Sequence, residues 1–491
     1  MALDGRTPVI VGVGQVTQRV DEGEGSEPLE LLVKALRQAE ADAGAAPARL
    51  LAAANSIRVV QILSWRYRDP GALIAERVGA SPRHTLYTGP GGQWPQALVN
   101  RSALDIQLGR ADVVLIGGVE TWRSRVRARA AGHHRSWPRQ TEETTPTEVL
   151  GEDTNYSHPA ELARGVLLPV HHYPLYETAL RTAARRSLTD HDAHVAALWS
   201  RFSAVAATNP NAWNQRAYSS EELLATTAAN RMVALPYRKR WCSNNSVDMA
   251  AALILCSAER ATALGIDRGR WVFPLAGFDA ADPPYVSIRA DLHSSPAIRQ
   301  AGKTAFGLAG VGIDDIAHVD LYSCFPSAVQ LAAHELGLSL DRPLTVTGGL
   351  PFAGGPWNNY VSHAVATMVE VLRGDPSTVG LVTGLGGFVT KHAIGLYSTA
   401  SPSDGFRWES STSTPPGRTV ADDYEGPATV ESWTVMYSRA GDPETGIATC
   451  LTPDDRRAWA TSTDPDTLAT MTTEDLAGQK ATLAGGGRLH L

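Results

Sequence analysis

The chain has 491 residues, a net charge of −7 and a composition of 43% hydrophobic and 19% charged residues. That length allows two to four domains, and the charge balance, with no basic tail or long like-charge run, makes nucleic acid an unlikely main partner. No apolar run reaches the ~18 residues that cross a bilayer, the N-terminus shows no secretory pattern, and Cys242, Cys256, Cys324 and Cys450 lie far apart, so a cytoplasmic protein with free thiols is expected.

In chain order, 7–15 (TPVIVGVGQ) reads as a buried strand running into a glycine turn. Its GVGQ lacks the third glycine of a dinucleotide fingerprint. Ser26 and Pro28 open a helix with Leu29, Leu32, Val33 and Leu36 on one face. A strand is expected over 57–63, then a loop, then a helix to about Val78, then a short strand at 85–87. The loop TGPGGQWP (88–95) follows, and Pro95 suits the first turn of the next helix. ADVVLIGGVE (111–120) is a core strand ending in a double glycine.

The second half repeats this order. A helix is expected over 297–309, a strand over 317–321, the loop YSCFP, and a helix stopped by Gly337. GGLPFAGGPWNNYVSHAV (348–365) then delivers a second glycine loop to a helix carrying Val365, Met368, Val369 and Leu372. VGLVTGLGG (379–387) is again a strand ending in a double glycine. GPGGQWP corresponds to AGGPWNN in character, so the chain duplicates one α/β unit. Pairing of the halves about a pseudo-twofold axis would bring both glycine loops to one shared site, where their N–H groups could hold an oxygen-rich group at a helix N-terminus. Two independent α/β domains are the alternative.

The alternation breaks over 121–235, which is rich in Arg, His, Trp and Pro and reads as an inserted subdomain covering the site. Its basic run Arg123, Arg125, Arg127 and Arg129 is either a solvated face or a place for the phosphates of a nucleotide-like ligand. The pairs His133–His134, His171–His172 and His191–His194 lack a matching third ligand, so no metal is expected. The expected layout is a first half over 1–120 and 236–260, the insertion over 121–235, a second half over 261–402, a Ser/Thr/Pro/Gly linker over 403–420, and a small all-β barrel over 421–491.

The duplicated core with GRADVVLIGGVE resembles the thiolase superfamily. NRMVALPYRKRWCSNNSVDMAAALILCSAE is similar to the thiolase segment ending in N-D-G-A-A-A, and DLYSCFPSAVQLAAHELGL resembles the H-D-C-F region of sterol-carrier-type thiolases. The likeness covers roughly 1–400, and the C-terminal part resembles the additional OB-like domain of the thiolase-like proteins called type 1. It implies a five-layer α-β-α-β-α thiolase fold, an acyl-CoA thioester as substrate or ligand with no other cofactor, and a monomer or homodimer.

The resemblance also exposes departures. By family spacing, the nucleophilic cysteine falls at Gly92, the G-H-P histidine at Gly355, the second cysteine at Gly384 and the H-D-C-F histidine at Tyr322. Glycine supplies no thiolate, imidazole or proton, so the usual acyl-enzyme route cannot use these positions. Glycines there would instead enlarge the pocket for a bulky acyl group. Cys324, His363 and His392 are the candidates for a relocated nucleophile and base. Asn245, Asn358 and Asn359 are candidate oxyanion donors to a thioester carbonyl; packing and loop capping are the alternative roles for all six. Three functions follow: an acyltransferase-like acyl-CoA-handling protein with substitute residues, a non-catalytic acyl-CoA or lipid-binding relative, or binding of nucleic acid or protein by the OB-like domain. For the last, Trp433, Tyr437 and Trp459 would supply the aromatic platform.

Overall fold

The computed structural model describes residues 3–20, 25–46, 49–152, 155–411 and 417–491. The first half holds the strands β1 (Pro8–Thr17), β2 (Ser56–Val59), β3 (His84–Thr88), β4 (Val113–Thr121) and β5 (Glu148–Leu150). The inserted segment leads to the short hairpin β6 (Met232–Ala234) and β7 (Tyr237–Arg238), and β8 (Asp248–Ser257) returns to the first half. The second half contributes β9 (Phe273–Ala281), β10 (Ile316–Asp320), β11 (Val379–Gly386), β12 (Lys391–Ser398) and β13 (Arg407–Ser410). The C-terminal strands are β14 (Gly426–Tyr437), β15 (Pro443–Leu451), β16 (Arg457–Ser462), β17 (Lys480–Ala484) and β18 (Arg488–His490).

The duplication is visible in the strand order. One sheet runs β1-β8-β4-β2-β3-β5 and the other β10-β11-β12-β9-β13. In both, a parallel pair (β2 with β4, β10 with β11) is followed by two antiparallel partners (β8 then β1, β12 then β9). Among the described residues the second half has no counterpart of β3. There, Leu344 accepts one bond from Leu321 N–H at 3.0 Å, and the Asp320 carboxylate holds the N–H groups of Val346 and Thr347 at 3.0 and 3.1 Å. A buried carboxylate has replaced a ladder of backbone bonds.

The helices Trp94–Gln107 and Tyr360–Gly374 both touch strands of the two sheets and each other, and so form the middle layer; Pro28–Asp42 and Pro296–Ala309 cover the outer faces. This is the five-layer α-β-α-β-α arrangement. Middle-layer burial explains why Trp94–Gln107 buries Gln96, Asn100 and Ser102 as well as Leu98 and Val99. Such polar groups must bond across the layer, and Asn100 Nδ2 donates to Asp279 Oδ1 at 3.0 Å and to Ile394 O at 3.2 Å.

The expected turn after Val11 is absent. β1 runs unbroken to Thr17, and its Gly12 and Gly14 sit directly under the carbonyl oxygens of Ala39 and Ala35, where any Cβ would collide. These glycines let a helix backbone lie against a strand. The segment expected as a linker contains β13, which pairs in parallel with β9; 412–416 of it lie outside the described residues.

The C-terminal strands close into a barrel. β14 pairs with both β15 and β17, β15 with β16, β17 with β18, and β16 runs parallel to β18. The helix Pro465–Thr473 lies between β16 and β17 in the chain. Five strands in this order, with a helix after the third, make the small OB-like barrel. β6 of the inserted segment extends the same sheet through Ala234 opposite Met436.

The barrel is locked to the core by Arg457, which is fully buried. Its guanidinium donates to the carbonyls of Val286, Ser287 and Arg289 and to both oxygens of Glu431. Trp459 Nε1 donates to Ser287 Oγ at 2.8 Å, and Trp433 Nε1 to Met471 O at 3.0 Å. Both indoles are buried, so neither offers the face to a base that the nucleic-acid reading requires.

Candidate functional site

The two glycine loops meet. Gly91 N–H donates to Asn358 Oδ1 at 2.9 Å, and Asn358 Nδ2 donates to Gln61 O at 3.2 Å. One asparagine of the second loop therefore pins the first loop, and a single shared site results.

That site is closed. A Cβ on Gly92 would run into the Tyr322 hydroxyl and lie 2.6 Å from Leu385 O and 2.7 Å from Tyr322 Cζ. The tyrosine thus fills the space in which a nucleophile's side chain would begin. At Gly384 the added atom would lie 2.9 Å from Gln93 Cα, and at Gly355 it would strike Ser243 Oγ and lie 2.9 Å from Asn245 Oδ1. At each of these glycines a Cβ would meet a close neighbour. The chain has packed down onto each of them, with Tyr322, Gln93 and Ser243 as the fillers. Tyr322, Gly384 and His392 border one cavity of about 10 Å3, no larger than a water needs.

The expected cradle of loop N–H groups is also occupied. Gly348 donates to Thr345 Oγ1, Gly349 to Thr347 Oγ1 and Leu350 to Ser323 Oγ. Gly355 donates to Asn244 O, Trp357 to Gly355 O and Asn359 to Pro356 O. These six donors of the second loop hold it in shape. Trp357 takes a left-handed φ of 48°, uncommon for a bulky residue.

The three candidate catalytic side chains stand apart, and none hydrogen-bonds another among the described residues. Cys324 is buried, and burial pushes its thiol up to about 12. A protonated thiol is not a nucleophile. His363 is buried on the entering helix. Burial lowers its pKa to about 3, its Nδ1 lies 2.9 Å from Gln15 Oε1, and its Nε2 has no protein partner. The ring is neutral with a very weak basic nitrogen. His392 Nε2 lies 3.0 Å from Asp282 Oδ2. Asp282 is held down at about 2 against the cost of its burial by Arg289, His392 and Ser295. This network braces β12.

Of the oxyanion candidates, Asn358 is engaged with Gly91 and Gln61, and Asn245 Oδ1 accepts from Ser243 Oγ at 2.7 Å. Asn359 keeps both amide atoms without a protein partner. It is 1% exposed, and it lies so close to Gly118 that a Cβ there would collide with it. Gln93 was not singled out from the sequence. Its side chain covers Gly91 and Gly386, and a polar residue inside a glycine loop was the available signal.

Electrostatics at the end of β4 follow from burial. Glu120 is completely buried, and desolvation raises it to about 7. Its two oxygens accept from Leu63 N at 2.7 Å and Ser64 N at 2.8 Å, fixing the loop beside Gln61.

Comparisons with known proteins bear on this geometry. The family model described as the thiolase-like protein type 1 additional C-terminal domain matches residues 409–487. The crystal structure of a monomeric SCP2-thiolase-like protein type 1 from Mycobacterium smegmatis is similar over 100% of both chains, with 32% identity and a TM-score of 0.85. An acetyl-CoA acetyltransferase of Methanothermobacter thermautotrophicus is 25% identical over 325 residues, 59% of this chain and 79% of that protein. The structure of an Ltp2–ChsH2(DUF35) aldolase shares the fold at 19% identity and a TM-score of 0.60, covering 80% of this chain and 98% of that one.

Proposed function

The chain belongs to the type 1 SCP2-thiolase-like proteins, and on that footing we propose that it binds acyl-CoA thioesters without forming an acyl-enzyme. The observation that carries this reading is the Tyr322 hydroxyl lodged against Gly92. Acyl transfer through a thiolase site needs a thiolate at the start of the middle-layer helix and a base to activate it. Here that space holds a phenol whose own ionisation is suppressed by burial, and Cys324 remains a protonated thiol.

Support for the ligand class comes from two directions. One relative is named for acetyl-CoA. Beside the second glycine loop, Trp122 packs edge-on against Trp357 at 5.0 Å, and the Arg125 guanidinium lies 5.1 Å from the Trp122 ring. Arg125, Arg127 and Arg129 continue along the same short helix, Trp122–Ala130. Aromatic faces beside guanidinium groups suit a nucleotide with its phosphates. Asn359 supplies an unoccupied amide for a carbonyl under the loops. The free thiols of all four cysteines fit a reducing, cytoplasmic setting.

Calorimetric titration of the full chain with acetyl-CoA tests this. Saturable binding is expected, weakened several-fold in Arg125→Ala, with no release of free CoA. Absence of binding, or turnover to free CoA, would overturn it.

A further inference from the structure

A second, larger cavity lies away from both glycine loops. The helices Pro169–Ala183 and Leu188–Thr208, the β6–β7 hairpin and the barrel enclose a cleft of about 400 Å3, within the ~300–1,000 Å3 of small-molecule sites. Its apolar wall is made by Leu188, Leu224, Leu235, Pro236 and Trp433. Leu188 stands at the rim with 37% of its surface exposed.

The charged groups that face this cleft are already bonded within the protein, the two arginines to carboxylates and Glu177 to a phenol, an amide and an imidazole. Glu177 accepts from Tyr237 Oη at 2.7 Å and from Gln330 Nε2 at 2.5 Å, and lies 2.6 Å from His191 Nε2. Asp192 pairs with Arg238 at 3.1 Å. Arg181 donates to both oxygens of Asp475 at 2.8 and 2.6 Å. A ligand with net charge would be desolvated here without a counter-charge, or would have to break one of these pairs. Two buried polar atoms of the lining residues have no protein partner: Arg238 Nε, and Nδ1 of His191, a residue only 2% exposed.

We propose that this cleft binds an uncharged amphipathic small molecule, with a hydrocarbon body and a hydroxyl, carbonyl or amide head that meets Arg238 and His191. At roughly 30 Å3 for each water-sized group, it holds about a dozen heavy atoms. The site is composite: the inserted segment provides Glu177, Arg181, His191 and Asp192, and the C-terminal barrel provides Trp433 and Thr472. The appended barrel therefore has a binding role that the core alone cannot perform. This inference does not depend on acyl-CoA binding.

The test uses the full chain and three probes of one chain length, 1-octanol, octanoate and octylammonium, in titration calorimetry at neutral pH. One saturable site for 1-octanol is expected, with each charged probe about tenfold weaker or more. Leu188→Trp and Thr189→Trp, both on the exposed rim, should each weaken octanol binding about tenfold while keeping the native melting temperature. Leu108→Trp, on an exposed position elsewhere, should change nothing. Non-saturable octanol binding, tighter binding of octanoate or octylammonium, or unchanged affinity in both rim variants would overturn the proposal.

Discussion

Tyr322 and Gly92 show why a change of residue identity is not the same as a change of space. The resemblance to thiolases places the position of their nucleophilic cysteine at Gly92. The inward swing of Tyr322 was not legible, because nothing local in YSCFP says where a ring reaches across the fold. Gly92→Ala should therefore destabilise the protein by about 1–3 kcal/mol, as overpacking does, measured by urea unfolding. Tyr322→Ala in the same chain should recover only part of this, since Leu385 O would still lie 2.6 Å from the new Cβ. Unchanged stability of Gly92→Ala would show that the site is open.

A second residue-scale prediction concerns Asp279. Burial raises its pKa from an ordinary 3.8 to about 7, so the folded chain keeps a proton that the unfolded chain loses above about pH 4. Stability from this group is full below that pH and falls as pH rises towards 7. In Asp279→Asn that contribution no longer titrates. The melting temperature of the variant relative to the parent should rise by several degrees between pH 4 and pH 7. A difference that stays flat across this range would contradict the assignment.

Elements were easier to read than sites. Helices such as Pro296–Ala309 and Pro326–Leu336 carry a proline at the start, a glycine just past the end and an apolar stripe between, all local signals. Gly12 and Gly14 misled because a glycine that admits a neighbouring backbone looks, in sequence, like one that makes a turn. No strand is expected between Gly337 and the second glycine loop and none is found there among the described residues; what the sequence does not show is that Asp320 holds Val346 and Thr347 in its place. Arg457 is the comparable device between elements. Arg457→Met should cost about 3–5 kcal/mol, because three carbonyls and Glu431 lose a buried partner. Monitoring Trp459 emission during unfolding should show the barrel loosening from the core at lower denaturant than the core itself. A single unchanged transition would deny the lock.

For the whole molecule, the duplication was legible because two glycine loops, two double-glycine strands and their helices recur in the same order. The identical polarity of β2-β4-β8-β1 and β10-β11-β12-β9 is its structural form. The site was less legible, because it turns on how groups from distant segments fill a shared space: the Tyr322 side chain over Gly92, the Ser243 side chain over Gly355, and the Gln93 backbone beside Gly384. Close packing surrounds the glycines of the two loops, and a larger cleft lies at the junction with the barrel; the proposed absence of an acyl-enzyme rests on that packing. The most direct test is the intact mass of the protein after prolonged incubation with acetyl-CoA. An unchanged mass at saturating ligand is predicted; a gain of one acetyl group that disappears in Cys324→Ala would contradict the account.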